Sequence, residues 1–111
     1  MSNEHQWIKE KKSWMIHTTP SGNGHFEPID PSCGHWNAAE LERVFGTKAL
    51  TTLHLQGKWT GEVLIYNHEA GKNQFENGLA ARLIRESTGQ NIDVYGDVLM
   101  TLTELVEPNN R

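Results

Sequence analysis

The residues best suited to chemistry are Cys33 and the histidines close to it in the sequence. His35 follows Cys33 by two positions, and His25 lies ten positions before His35. Thiolate and imidazole are ligands that zinc favours, and a cysteine beside a histidine is also the pairing of a nucleophile with its base. A closed structural zinc site needs four ligands, and this segment supplies three. We therefore expect no metal, no cofactor, no catalytic residue and an unreactive Cys33. The alternative is a small hydrolase or metal-binding protein that uses Cys33, His35 and His25.

A second group of polar side chains surrounds a predicted strand end and the start of a helix. Helix N-termini expose unpaired N–H groups that attract anions, and a lysine in the same segment adds positive charge. The asparagines could instead serve only to cap the helix. The predicted ligand-binding residues are Asn67, Glu69, Lys72, Asn73, Asn77 and Asp97. We expect any small ligand to be an anion, such as a nucleotide. Asp97 also has a structural interpretation, in which it accepts N–H bonds from the adjacent loop.

Trp59 is the predicted contact residue for a protein partner. It lies at the tip of a predicted hairpin, between Lys58 and Thr60. An exposed tryptophan at such a position is typical of interface hot spots. Packing of Trp59 within the protein remains the alternative.

The local sequence signals are most consistent over residues 37–46, which we predict to form a helix. Asn37 is the expected N-cap, and Glu40 completes a variant of the capping box. Trp36 and Leu41 are spaced for a hydrophobic staple. Gly46 is the expected stop, since glycine readily takes the left-handed conformation that ends helices.

The remaining elements complete an α+β chain with the order β(β)αββαβ. Hydrophobic patterning predicts a second helix that starts at Asn73 or Asn77 and ends at Gly89. Strands are predicted at 13–18, 25–30, 49–55, 62–66 and 93–104, and the third and fourth of these should form an antiparallel hairpin. We expect a mainly antiparallel sheet with both helices on one face, and a ferredoxin-like topology as the leading arrangement.

Self-association is predicted from the apolar strand 62–66. If this strand lies outermost in the sheet, its unpaired backbone groups need a neighbour. Two-fold pairing is the commonest way to supply one, so we expect a homodimer.

Composition limits the possible classes of function. The chain has 111 residues, a net charge of −4 and a single cysteine. Its length predicts one domain at 13–106, with a flexible arm at 1–12 and a flexible tail at 107–111. The absence of a clustered basic face makes nucleic-acid binding an unlikely function. No window has the length of apolar sequence that a membrane span needs. The lone cysteine favours the cytoplasm.

The second half of the chain resembles a family of small uncharacterised proteins encoded by bacteriophages and plasmids. Three short motifs within residues 37–102 carry this resemblance. They are an Asn-x-Glu-x-x-Lys loop at 67–72, an Asn-x-x-Ala helix start at 77–80, and Gly-Asp before aliphatic residues at 96–99. The resemblance implies a mobile-element origin and a bacterial cytoplasm, and it implies no reaction.

Together these observations favour a small accessory protein of a mobile genetic element that acts by binding. Its partner is expected to be either a host protein or a small anionic ligand such as a nucleotide.

Overall fold

A computed structural model describes residues 13–20, 24–71 and 74–110. Within these residues, five antiparallel strands form one sheet, and two helices pack on it. This confirms the predicted α+β class and the order of the elements. The predicted arm at 1–12 lies outside the described residues. In the predicted tail, Pro108–Asn110 forms a 3-10 turn.

The strands are arranged in the order β2-β1-β5-β4-β3. Their bounds are β1 Ser13–Thr18, β2 Gly24–Pro28, β3 Leu50–His54, β4 Glu62–Asn67 and β5 Val98–Leu102. The helices are α1 Ala38–Phe45 and α2 Gly78–Thr88. Within the described residues, no helix is long and apolar enough to cross a membrane.

The two helices cover opposite faces of the sheet, so the prediction of both helices on one face is wrong. Successive side chains of a strand point to opposite faces, and β4 shows the consequence. Leu64 and Tyr66 pack with α2, whereas Val63 and Ile65 pack with α1. Since all four side chains are buried, β4 needs apolar cover on both faces.

The ferredoxin-like topology is not confirmed. That fold is built from split βαβ units, in which the two strands joined by a helix are separated by another strand. Here α2 connects β4 to β5, which are adjacent and antiparallel. Helix α1 connects β2 to β3, which lie at the two opposite edges.

The predicted hairpin is confirmed, with β3 and β4 antiparallel in a register that pairs Leu53 with Leu64. However, β4 also pairs with β5, so it is an interior strand. The premise of the predicted homodimer, an unpaired strand 62–66, is therefore wrong. Among the described strands, β2 and β3 lie at the edges of the sheet.

Helix α1 begins and ends where the sequence predicted. The Asn37 side chain accepts a hydrogen bond from the Glu40 backbone N–H (2.9 Å), and Gly46 ends the helix with a φ of 72°. Trp36 and Leu41 are buried in the same cluster, in agreement with a staple. The Glu40 side chain does not complete a capping box, because its carboxylate binds Ser32 and Arg43 instead.

Candidate functional site

A histidine and a carboxylate meet at one corner of the sheet. His17 lies near the end of β1, and Asp97 immediately precedes β5. His17 Nδ1 is 2.9 Å from Asp97 Oδ2, and the Thr18 backbone N–H donates to Asp97 Oδ1 (3.0 Å). Because a carboxylate only accepts hydrogen bonds, Nδ1 carries the proton in this pair. Asp97 thus accepts a backbone N–H bond as expected, but from β1 and not from the adjacent loop.

Gly96 directs Asp97 toward β1. Its φ of 82° lies in the left-handed region, which is costly for residues with a Cβ. The Gly96 N–H donates to the Phe75 carbonyl (2.8 Å), which fixes this turn against the segment before α2. The predicted strand at 93–104 therefore begins only at Val98.

The other ring nitrogen of His17 faces a cluster on β2. His17 Nε2 is 3.6 Å from Glu27 Oε1, and the His17 and His25 rings lie 5.0 Å apart between centroids. The register pairs His17 with His25 and places Glu27 two positions along on the same face. Sequence reasoning missed this cluster, because it depends on the pairing of β1 with both β2 and β5.

Part of the predicted ligand-binding group comes together at the same corner. Asn67 and Asp97 line one shallow depression of about 170 Å³, whose other lining residues include Gln74, Tyr95 and Phe45. The Asn67 side chain accepts a bond from the Glu69 backbone N–H (2.8 Å), and the Glu69 side chain is exposed. Lys72 and Asn73 lie outside the described residues. The depression is smaller than the roughly 300–1,000 Å³ of ordinary small-molecule pockets.

Asn77 is a structural residue. It is fully buried, and its Oδ1 accepts from the Ala80 N–H (3.1 Å) as the N-cap of α2. Its Nδ2 donates to the Ile16 carbonyl (3.0 Å) and to the Gly96 carbonyl (2.9 Å). These bonds use both donor hydrogens of the amide, so the Asn77 side chain has none left for a ligand.

Cys33 and His35 form no site with His25. Cys33 is exposed; its thiol donates to the His35 carbonyl (3.4 Å), and its sulfur accepts from Asn37 Nδ2 (3.6 Å). Among the described residues, no group of three or more His, Cys, Asp or Glu side chains could hold a metal ion.

Trp59 has a structural environment that its sequence position did not indicate. The side chain is partly buried and packs against the apolar cluster under α2. Lys58 Nζ lies 4.5 Å from the centroid of its ring, in the geometry of a cation–π contact. Trp59 therefore presents less surface to a partner than a free hairpin tip would.

Comparison with protein families, curated proteins and solved structures found no match for this chain. The site must therefore be interpreted from its own geometry.

A second depression, of about 480 Å³, lies between α1 and β3. Leu41, Leu50 and Ile65 contribute apolar lining, and Lys48 contributes a positive charge. Lys48 Nζ is 3.9 Å from Glu42 Oε2, so this cation already has an acidic neighbour. Of the predicted ligand-binding residues that the structure describes, none lines this depression.

The buried Glu40 carboxylate gives the fold a predictable pH dependence. Arg43 donates to Glu40 Oε2 through Nη2 (2.7 Å) and Nε (3.0 Å), and the Ser32 N–H donates to Oε1 (2.9 Å). The hydrogen bonds from Arg43, and secondarily that from Ser32, hold the pKa of Glu40 below its ordinary value although burial opposes this shift. A lowered pKa means that folding favours the ionised form.

We expect Glu40→Gln to lower the thermal midpoint most at about pH 6, where the carboxylate is ionised in both folded and unfolded chains. The stabilisation is lost as pH falls through the lowered pKa, so the difference from wild type should shrink toward about pH 3. Calorimetry across this pH range measures the difference in thermal midpoint between Glu40→Gln and wild type. Arg43→Gln should show a difference that shrinks in the same way. A difference that stays constant with pH would contradict this account of Glu40.

Proposed function

We propose that this protein acts by binding another polypeptide along β2, as a small accessory protein of a mobile genetic element in the bacterial cytoplasm. The partner is a host protein. The mobile-element origin rests on the motifs within residues 37–102, and the compartment on the single, exposed Cys33. The observation that carries the binding proposal is an exposed aromatic side chain, Phe26, on an edge strand.

The backbone of β2 offers hydrogen-bonding groups at the outer edge of the sheet. The Ile29 N–H donates to the Ser13 carbonyl (3.2 Å), which makes these two residues a hydrogen-bonded pair. Such pairs alternate along an antiparallel ladder, so the N–H and C=O groups of Gly24 and Phe26 point away from β1. An extended peptide can pair with these groups and add a strand to the sheet.

Phe26 supplies an apolar anchor beside these backbone groups. Its side chain is 44% exposed, and Phe75 is the other large hydrophobic side chain exposed among the described residues. The Phe26 ring meets Trp14 edge to face, with centroids 6.3 Å apart and planes at 87°. Because the contact with Trp14 already restricts the Phe26 ring, the ring loses little side-chain entropy on binding, as is typical of hot-spot residues.

The side chains on the two faces of β2 predict the residue pattern of the partner segment. Phe26 lies on the α2 face, because it pairs with Ile16, which packs under α2. His25 and Glu27 lie on the opposite face, where Glu27 is 63% exposed. A strand added to β2 should therefore alternate apolar side chains with polar or basic ones. Pro28 has no N–H to offer, which limits the added strand to a short segment.

A small anionic ligand, the other expected partner, has less support than a host protein. Asp97, Glu69 and Glu76 give the corner negative charge, and the Asn77 amide is already used. The depression there, of about 170 Å³, is also smaller than the roughly 300–1,000 Å³ of ordinary small-molecule pockets. A thermal-shift screen of nucleotides distinguishes a protein partner from a small anionic ligand. If a nucleotide raises the thermal midpoint and substitution of Phe26 does not affect this shift, the anionic ligand is favoured.

We expect a photo-reactive amino acid in place of Phe26 to give a discrete cross-linked adduct in bacterial cells. The matched control is the same amino acid in place of His54, an exposed residue on the opposite edge strand β3. Loss of a hot-spot anchor costs about 2 kcal/mol or more, so Phe26→Asp should weaken the partner at least ~30-fold. Equal adducts from both edges, or none from position 26, would overturn the proposal. An adduct of twice the chain mass would identify the partner as a second copy.

A further inference from the structure

We propose that the groove between helix α2 and residues 91–93 binds a short peptide with free ends, about three residues long. The groove is a depression of about 300 Å³, and its charged lining residues are Glu76, Arg82, Arg85 and Asp93. None of its lining residues belongs to β2, so this inference is independent of the proposed function.

Residues 91–93 run back along α2 in the direction opposite to the helix. After the helix ends, the chain returns until the Val94 carbonyl accepts a hydrogen bond from the Asn77 N–H (2.7 Å), at the start of α2. Asp93 therefore lies beside the start of the helix, and Asn91 lies nearer its end. The groove is thus elongated along the helix axis.

The charged residues of the groove are separated along α2 by sign. Glu76 and Asp93 lie at the start of the helix, whereas Arg82 and Arg85 lie about 6 and 10 Å along it from Gly78. All four charged residues are exposed, and none forms an ion pair with another described side chain. Arg82 and Arg85 are neighbours on the helix surface, so a carboxylate bound between them relieves the repulsion of their like charges.

This separation of charge matches a peptide of about three residues. An extended chain spans about 3.3–3.6 Å per residue, so three residues span about 10 Å. The N-terminal ammonium group then meets Glu76 and Asp93. The C-terminal carboxylate meets Arg82 and Arg85, whose guanidinium groups are suited to bidentate hydrogen bonds with a carboxylate. A single amino acid is too short to reach both ends of the groove.

The walls of the groove suit a peptide backbone. Gly78 and Ala81 line the helix side, and their small size allows another chain to approach closely. Ile92 adds a partly buried apolar side chain that packs against the cluster under α2. Within the described part of the chain, no backbone–backbone hydrogen bond involves residues 91–93. Their N–H and C=O groups can therefore pair with a peptide that runs antiparallel to them.

Titration of the isotope-labelled full chain with trialanine, followed by nuclear magnetic resonance, tests the proposal. We expect saturable shifts of the amide signals at residues 78–85 and 91–93, with a Kd near ~1 mM. Acetylation of the amino end or amidation of the carboxyl end should each weaken binding about 5-fold, because each removes one charge that forms exposed ion pairs.

Single substitutions assign each end of the peptide to its residues. Arg85→Gln should weaken trialanine about 5-fold and leave the amidated peptide unaffected, because that peptide has no carboxylate. Asp93→Asn should likewise weaken trialanine and leave the acetylated peptide unaffected. Lys48→Gln and Glu86→Gln are the matched controls, since each removes one exposed charge of the same sign outside the groove. Both should bind trialanine as wild type does.

The proposal is overturned if the amide shifts fail to saturate by ~20 mM, or if amidated trialanine binds as tightly as the free peptide. It is also overturned if alanine alone binds as tightly as trialanine. Shifts confined to β2 would contradict the groove and would instead report on the binding edge of the proposed function.

Discussion

Asn77→Ala should destabilise the protein by about 2–4 kcal/mol, the largest effect expected from a single polar side chain in this fold. The substitution removes the N-cap of α2 and two further hydrogen bonds, which the buried amide donates to the carbonyls of Ile16 and Gly96. Loss of a cap costs about 1 kcal/mol, and each of the two lost hydrogen bonds costs about 0.5–1.5 kcal/mol. Urea denaturation of wild type and variant measures the difference.

Asn37→Ala is the matched control, because Asn37 caps α1 through a single bond to the Glu40 N–H and is not fully buried. It should cost only about 0.5–2 kcal/mol. Asn77→Asp provides a second test, since it keeps the capping oxygen but turns a carboxylate oxygen toward two carbonyls. Equal costs for Asn77→Ala and Asn37→Ala would contradict the role of Asn77 as the link between β1, the turn before β5 and α2.

Trp36→Ala should cost about 3–5 kcal/mol, the usual range for deleting a buried aromatic side chain. Trp36 is fully buried under α1, and its Nε1–H donates to Ser13 Oγ (3.1 Å). The Ser13 hydroxyl is also bonded to Thr101 Oγ1 (2.7 Å), so it keeps a partner when the indole is removed. The main loss is therefore packing, together with the cavity that remains.

Trp36→Phe separates packing from hydrogen bonding. It keeps most of the apolar contact and removes the indole N–H, so we expect a loss of about 1 kcal/mol from the hydrogen bond and a further small loss from the reduced volume. Denaturation midpoints of the two variants make the comparison. If Trp36→Phe is as unstable as Trp36→Ala, the hydrogen bond to Ser13 matters more than the geometry indicates.

The elements predicted most reliably from the sequence are those whose signals come from residues close together in the chain. Asn37, Gly46 and the staple residues lie within a few positions of one another, so helix α1 could be placed to within one residue. The hairpin β3–β4 was similarly predictable, because a short turn joins its strands.

The layering of the fold was mispredicted, although one signal for it was present in the sequence. The run Val63 to Tyr66 is apolar at every position, and a strand without polar alternation is typical of burial on both faces. Greater weight on that run would have placed the helices on opposite faces. The homodimer prediction depended on this strand lying outermost, and its pairing with both β3 and β5 removes that condition.

The candidate site shows where reasoning from sequence alone reaches its limit. Asn67 and Asp97 were selected for their polar character and do line a common depression. His17 was missed, because its contact with Asp97 joins residues 80 positions apart. Only the register of β1 with β2 and β5 brings His17, His25 and Asp97 together.

The most direct test of the binding proposal is hydrogen exchange on the wild-type chain, measured alone and in complex with the partner that cross-linking identifies. The Gly24 and Phe26 amides point away from β1 and should exchange rapidly in the free protein. If a partner strand pairs with β2, both amides become protected, while Thr52 and His54 on the other edge strand β3 exchange as before. Protection along β3 with Gly24 and Phe26 still exchanging rapidly would contradict the proposal that β2 is the binding edge.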